Sequence, residues 1–119
     1  MNLFDTTQLA LDAAMHGASV RQSAIAQNVA NVNTPGYRRQ DVSFESQLGA
    51  ALRANDRDAL RSLSPAPAVD QAAPVRADGN SVDMDTEAAG QARNGLTYAA
   101  LVAVYKARTT ILQSAIGVR

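Results

Sequence analysis

The chain contains two long segments in which apolar residues recur at alternating steps of four and three. This spacing is typical of a coiled-coil seam. The first segment runs from about residue 6 to 32 and predicts a helix of ~40 Å at 1.5 Å per residue. Its stripe comprises Leu11, Met15, Ala18, Gln22, Ile25, Val29 and Val32. The polar Gln22 has two interpretations, a buried amide that fixes the register of two helices or an edge position facing water.

The second segment begins near Asp83 and predicts a C-terminal helix of ~50 Å. Its stripe comprises Met84, Ala88, Gln91, Gly95, Tyr98, Val102, Tyr105, Thr109, Leu112 and Ile116. Ser81 or Asp83 is placed to cap its start, as Asp5 or Thr7 is for the first helix. Gly95 in the stripe either permits close approach of another helix or is simply tolerated.

The middle of the chain does not continue the long coiled-coil pattern. Phe44, Leu48, Leu52, Leu60 and Leu63 predict one or two short amphipathic helices, broken at Asn55-Asp56. A Pro/Ala-rich stretch then predicts an extended linker, and Asp78-Gly79 favours a minimal β-hairpin before the last helix. We therefore expect a mostly α fold, in which two long terminal helices form a coiled-coil-like hairpin and the middle is partly disordered. The expected segments are an N-terminal coiled-coil helix at 1–33, the middle segment at 34–81 and a C-terminal coiled-coil helix at 82–119.

Several residues that terminate a helix follow one another at the end of the first helical pattern. Pro35 forbids continuation of the helix and Gly36 permits a positive φ, so residues 34–37 predict a tight turn. Asn28 and Asn31 lie three apart, which places both amides on one side of the helix, within reach of the chain exit or of a neighbouring chain. By its physical chemistry alone, the pattern also fits an ordinary helix C-terminus.

The same twelve residues carry a resemblance. Ala26, Asn28, Ala30, Asn31, Thr34, Pro35, Gly36 and Tyr37 match, in spacing and type, the N-terminal motif of the flagellar rod, hook and hook-associated axial proteins of bacteria. The short chain lacks the large insertions of distal rod and hook proteins. Residues 78–85 and 94–101 are similar to the B type of proximal rod protein, and the residues after Tyr98 differ from the usual C-type pattern. The C type stays the alternative.

Composition and charge narrow the classes of protein that the chain can belong to. Of the 119 residues 46% are apolar but only 4% are aromatic, so a large self-contained core is not expected, and oligomerisation is a route to further burial. Eleven basic and eleven acidic residues cancel, which argues against nucleic acid as a partner. There is no cysteine. No apolar run is long enough for a membrane span, and the N-terminus does not have the pattern of a secretory signal.

Candidate chemistry is sparse, so we expect no enzyme, no cofactor and no metal site. His16 is the only histidine and has no matched acid or cysteine nearby. The acidic run from Asp78 to Glu87 does not fit a calcium loop, because Asp83 stands at the sixth position, where glycine is needed, and Ala89 at the twelfth. Favourable charge at the start of the last helix explains these carboxylates better.

Two classes of function remain after this search. The resemblance implies a structural subunit of the proximal rod that binds copies of itself, neighbouring rod proteins and the rod-base protein at the membrane ring and export apparatus. It also implies export by the flagellar type III system without a cleaved signal peptide. The alternative is a soluble helical-hairpin adaptor or export chaperone.

Overall fold

The computed structural model describes residues 5–117, which form an elongated body of 62 × 30 × 15 Å. The first four residues of the predicted N-terminal segment and the last two of the C-terminal segment lie outside this part. The described chain is mostly helical, as predicted. Its elements are α1 (Thr6–Ala30), β1 (Gln40–Val42), α2 (Glu45–Arg53), α3 (Arg57–Ser62), β2 (Pro67–Val69) and α4 (Met84–Ala115).

Both long helices begin at aspartate caps. The Asp5 carboxylate accepts a hydrogen bond from the Gln8 N–H at 2.8 Å, and the Asp83 carboxylate accepts one from the Asp85 N–H at 3.2 Å. Each carboxylate therefore satisfies an amide that has no partner within its own helix, and each places negative charge at the positive end of the macrodipole. The predicted helix starts are confirmed.

The helices α1 and α4 pack antiparallel. Contacts at three heights define the pairing: Asp5 with Arg108, Ala18 with Asn94, and Asn28 with Glu87. Neither helix is apolar enough over its length to cross a membrane, and the same holds for the shorter helices between residues 5 and 117.

The expectation of a partly disordered middle segment was wrong. The segment packs on α1 through two apolar clusters, one formed by Ala10, Ala51 and Leu60, the other by Ala24, Val42 and Phe44. As predicted, two short helices form here and separate at Asn55-Asp56. Asn55 adopts a positive φ of 52°, and the Asp56 carboxylate caps α3 by accepting from the Ala59 N–H.

The predicted β-hairpin was also misplaced. A turn does form at Asp78-Gly79, closed by the Gly79 N–H to the Arg76 carbonyl at 2.9 Å. Within the described chain, however, the strands that pair are β1 and β2, antiparallel, with Gln40 opposite Val69. Part of the Pro/Ala stretch is thus a strand, because β1 offers it backbone partners across the surface of α1.

Candidate functional site

A fully buried amide, Asn28, joins three parts of the chain. Its Nδ2 donates to the Gln40 carbonyl at 2.8 Å and to Glu87 Oε2 at 3.2 Å. Its Oδ1 accepts from the Gln40 N–H at 3.0 Å and from the Tyr37 hydroxyl at 3.2 Å. These four bonds use the whole capacity of the amide, which removes the penalty for burying it.

The second element of the site is an ion pair between Arg39 and Glu87. Arg39 Nε lies 2.6 Å from Glu87 Oε1, and a terminal nitrogen of Arg39 lies 2.6 Å from Asp70 Oδ2. The Glu87 side chain is fully buried and that of Arg39 is 13% exposed. A buried carboxylate is tolerated only when it is paired and hydrogen-bonded. Here Arg39 supplies the charge and Asn28 the second donor.

Asn80 holds the segment before α4 to the end of α1. Its Nδ2 donates at 2.8 Å to two carbonyls, those of Asn31 and Thr34, while its Oδ1 accepts from the Val82 N–H at 2.7 Å. The buried side chain thereby satisfies carbonyls that the helix exit leaves free. We call Asn28, Tyr37, Arg39, Asn80 and Glu87 the polar clasp.

Two glycines allow the clasp to close. Gly36 has a φ of +75° and Gly79 a φ of +82°, and the Gly36 N–H donates to the Asp78 carbonyl at 2.9 Å. A Cβ on Gly79 would lie 3.2 Å from the Gly36 Cα. The predicted turn at residues 34–37 is present, closed by the Tyr37 N–H to the Thr34 carbonyl at 3.2 Å. Pro35 and Gly36 occupy the positions that a type II turn favours.

The electrostatics of the clasp favour its native protonation states. Burial by itself would lower the pKa of Arg39, but the hydrogen bond and charge of Glu87 outweigh it, so this pKa is raised. Burial raises the pKa of Tyr37, and the nearby Glu87 carboxylate raises it further. Arg39 therefore stays charged and Tyr37 stays neutral, which keeps its hydroxyl as a donor to Asn28.

The clasp has the chemistry of a structural junction. Its polar atoms are directed at one another and at the backbone. Among residues 5–117, no group of three or more His, Cys, Asp or Glu side chains is arranged to hold a metal ion.

Comparison with known proteins connects this junction to a family. A family model described as "Flagella basal body rod protein" matches residues 10–38, which include most of α1 and the turn. The curated flagellar basal body rod protein FlgB of Borrelia hermsii is 30% identical over 82% of this chain and 86% of its own length. FlgB of Escherichia coli K12 is 33% identical over 79% and 83%, and that of Bacillus subtilis 168 is 32% identical over 86% of each.

The chain belongs to the FlgB family of flagellar basal body rod proteins. The resemblance to the B type is thus confirmed. The matched segment carries the residues that build the α1 side of the clasp.

The axial-protein motif of this chain divides into clasp, chain-exit and exposed positions. Asn28 and Tyr37 are in the clasp. Asn31 serves the chain exit, since its Nδ2 donates to the Gln27 carbonyl at 2.8 Å and its Oδ1 accepts from the Thr34 hydroxyl at 3.1 Å. The other motif residues are solvent-exposed: Ala26, Ala30, Thr34, Pro35 and Gly36.

The two predicted seams differ in burial. In the N-terminal seam, Leu11, Ala18 and Ile25 are buried, and Met15, Gln22, Val29 and, just beyond the end of α1, Val32 are partly buried. In the C-terminal seam, only Val102 and Leu112 are partly buried, whereas Met84, Ala88, Tyr98, Tyr105 and the C-cap residue Ile116 are exposed. Gln22 makes an interhelical amide contact, accepting from Asn94 Nδ2 at 3.1 Å.

The residues by which α4 contacts α1 were missed because they are polar. Glu87 and Asn94 are its two buried side chains, each one position before an expected seam residue. A search for apolar spacing passes over them. The signal that was present is the Asn28 amide, because a buried amide needs polar partners from another segment.

Proposed function

We propose that this chain is a structural subunit of the proximal part of the flagellar rod. It polymerises through its terminal helices into a shaft that transmits torque and encloses the export conduit. Membership of the FlgB family supports the class of protein. The mode of assembly is inferred from the surface of α4.

The observation that carries the proposal is the exposed apolar surface of α4. Leu96 is 74% exposed, Ile111 67% and Ile116 69%. The paired Asp5 and Arg108 mark the level at which α1 begins, and α4 continues to Ala115. Exposed apolar groups spread along a helix indicate a surface that other chains cover.

The partners in this proposal are copies of the same chain, neighbouring rod proteins and the rod-base protein that joins the rod to the membrane ring and export apparatus. The location is the basal body, reached through the flagellar type III system without cleavage of a signal peptide. Stacked helix pairs extend the apolar contact from subunit to subunit, and the rod requires no cofactor.

The experiment places the full chain, as the only copy, in cells of its own host that lack the chromosomal gene. We expect it in isolated basal bodies and we expect restored swimming. Ile116→Asp and Leu112→Asp should abolish both, because a charge in an apolar contact costs several kcal/mol unless it is paired. Gln113→Asp, at an exposed position between them, is the control. Normal swimming of both variants would exclude this end of α4 as an assembly surface.

Circular dichroism in dilute solution distinguishes a rod subunit from an adaptor or export chaperone. An adaptor should show full helicity by circular dichroism at low concentration, with a sharp thermal transition. A rod subunit gains burial on assembly, so its helicity and thermal midpoint should rise with concentration.

A further inference from the structure

The side of α4 that faces away from α1 carries a second row of apolar residues. We call this row the outer stripe; its members recur at steps of three and four and are all exposed: Leu96, Ala100, Ala103, Ala107 and Ile111. Glu87, which contacts α1, lies nine residues before Leu96, so the outer stripe is about half a turn away from the buried contact. Of the helices and strands in the described chain, only α1 packs against α4.

The charges beside the outer stripe are all positive. Arg93 and Lys106 border it on its two sides, both are exposed, and neither forms an ion pair with another residue between 5 and 117. After Glu87, α4 contains no Asp or Glu. Two outer stripes placed face to face would therefore bring like charges together, which favours an acidic partner surface.

The outward face of α1 has the opposite charge. Its exposed residues recur at the same steps: Asp12, His16, Ser19, Ser23, Ala26 and Ala30. The Asp12 carboxylate accepts from Gln8 Nε2 at 3.2 Å and has no cation as a partner within the described chain. Arg21, the one arginine of α1, is turned elsewhere, because it donates to the Val42 carbonyl and pairs with Glu45. This face therefore offers a negative charge next to short side chains, over which another helix can pack closely.

We propose that the outer stripe of α4 packs on the outward face of α1 in a second copy of the chain, with Lys106 of one copy beside Asp12 of the next. Charge decides the partner surface, because contact between two outer stripes would join cations only. The contact also gives the exposed motif residues Ala26 and Ala30 a place between subunits. This inference rests on the proposed function and specifies which faces meet in the rod.

The direction of the two helices determines their register. Copies related by rotation about the rod axis point the same way, so α4 of one copy runs antiparallel to α1 of the next. In this orientation, Lys106 beside Asp12 places both ends of the outer stripe over α1. Arg93 beside Asp12 would instead place Ile111 beyond the start of α1.

This register displaces neighbouring copies along the rod. Within one chain Arg108 pairs with Asp5, so Lys106 is level with Thr7. Between copies Lys106 is level with Asp12, five residues further along α1, which is about 8 Å at 1.5 Å per residue. A contact between two different faces is heterologous, and with such a displacement its repetition builds a helical tube and not a flat ring.

Charge reversal tests the contact. With the full chain as the only copy in its host, Lys106→Asp and Asp12→Lys should each lower the amount of chain in isolated basal bodies about fivefold, because like charges then meet. The double variant with both changes should restore it. Lys106→Asp combined with Asp58→Lys, on α3, is the control and should not. The urea midpoint of the dilute chain should be the same in all these variants, which separates a lost contact from a damaged fold.

Crosslinking tests the register, because the chain has no cysteine of its own. Two differently tagged full-length copies, Ala100→Cys and Ser19→Cys, are produced together, and basal bodies are treated with a short bismaleimide. We expect a dimer that carries both tags, since these positions lie opposite each other in the proposed register. Ala107→Cys replaces Ala100→Cys as the control and should not crosslink to Ser19→Cys, because it lies about 12 Å from that level.

Each outcome decides a different statement. If the unmodified chain is absent from basal bodies, the proposed function fails and this inference fails with it. If the chain is present, absence of the charge-reversal rescue or of the mixed dimer excludes only the contact between the outer stripe and α1. A mixed dimer from Ala107→Cys and not from Ala100→Cys would overturn the register. Efficient crosslinking of Ala100→Cys to itself would overturn the choice of partner surface.

Discussion

Arg39 and Glu87 form an ion pair of 2.6 Å that joins the segment between the turn and β1 to the first turn of α4. Glu87 also accepts from Asn28, so this single carboxylate receives donors from α1 and from the residue before β1. The start of α4 is therefore fixed by directional bonds as well as by apolar contact.

Glu87→Ala should destabilise the fold by about 3 kcal/mol, because it leaves Arg39 and Asn28 with buried donors and no carboxylate. The free energy of unfolding from urea titration measures the effect. Asp58→Ala, which removes an exposed ion pair with Arg61, should change stability by less than about 1 kcal/mol. Equal losses in the two variants would contradict the assigned role of Glu87.

Replacement of Asn28 tests the amide at the centre of the clasp. Asn28→Ala removes partners from the Gln40 backbone and from Glu87, which should cost about 2–3 kcal/mol. The thermal midpoint from circular dichroism should fall accordingly. The matched control is Gln27→Ala, in which an exposed amide is removed from the adjacent position. If Gln27→Ala were the more damaging variant, the clasp would not be the main polar contact.

Two helical glycines should respond in opposite directions to the same substitution. A Cβ on Gly17 would overlap the Phe44 ring, so Gly17→Ala should destabilise the fold by about 1–3 kcal/mol. A Cβ on Gly90 would lie 3.7 Å from Ile25 Cδ1, an ordinary contact. Gly90→Ala should therefore stabilise α4 by up to about 1 kcal/mol. Midpoints of urea unfolding that shift in the same direction would refute this comparison.

The Asp83 cap predicts an acid dependence of stability. Hydrogen bonds from the Thr86 hydroxyl and the Asp85 N–H lower the pKa of Asp83 below its ordinary 3.8. A lowered pKa means that the contribution of Asp83 is present above pH 3.8 and is lost as the pH falls through the pKa of the folded state.

Asp83→Asn keeps a capping side chain but removes the titration. The loss of unfolding free energy between pH 6 and pH 2 should be smaller in this variant than in the unmodified chain. Asp58→Asn is the control. If Asp83→Asn lost as much unfolding free energy between pH 6 and pH 2 as the unmodified chain, titration of the Asp83 cap would not contribute to the acid dependence.

Local signals in the sequence were sufficient to predict where the helices start and where the chain turns. Asp5 and Asp83 cap helices, Pro35-Gly36 forms a tight turn, and Asn55-Asp56 separates α2 from α3. Each of these depends on backbone preferences of a few adjacent residues, which are visible without tertiary structure.

The strand pairing and the clasp could not be predicted from such local sequence signals. The strands β1 and β2 have three residues each and lie far apart in sequence, so no turn signature connects them. Glu87 was assigned to favourable charge at the helix start, whereas it is buried opposite Asn28. Apolar periodicity selects positions by hydrophobicity, and it cannot predict that α4 meets α1 through Glu87 and Asn94.

The clasp also sets the order in which the fold can be completed. During synthesis from the N-terminus, α1 is finished long before the ribosome reaches Glu87. Until then the Asn28 side chain has only the Tyr37 hydroxyl, the Gln40 backbone and water as partners. Contacts across so many residues form slowly, because the intervening loop must first be closed. The Asn28–Glu87 contact between α1 and α4 therefore cannot form until the start of α4 has been made.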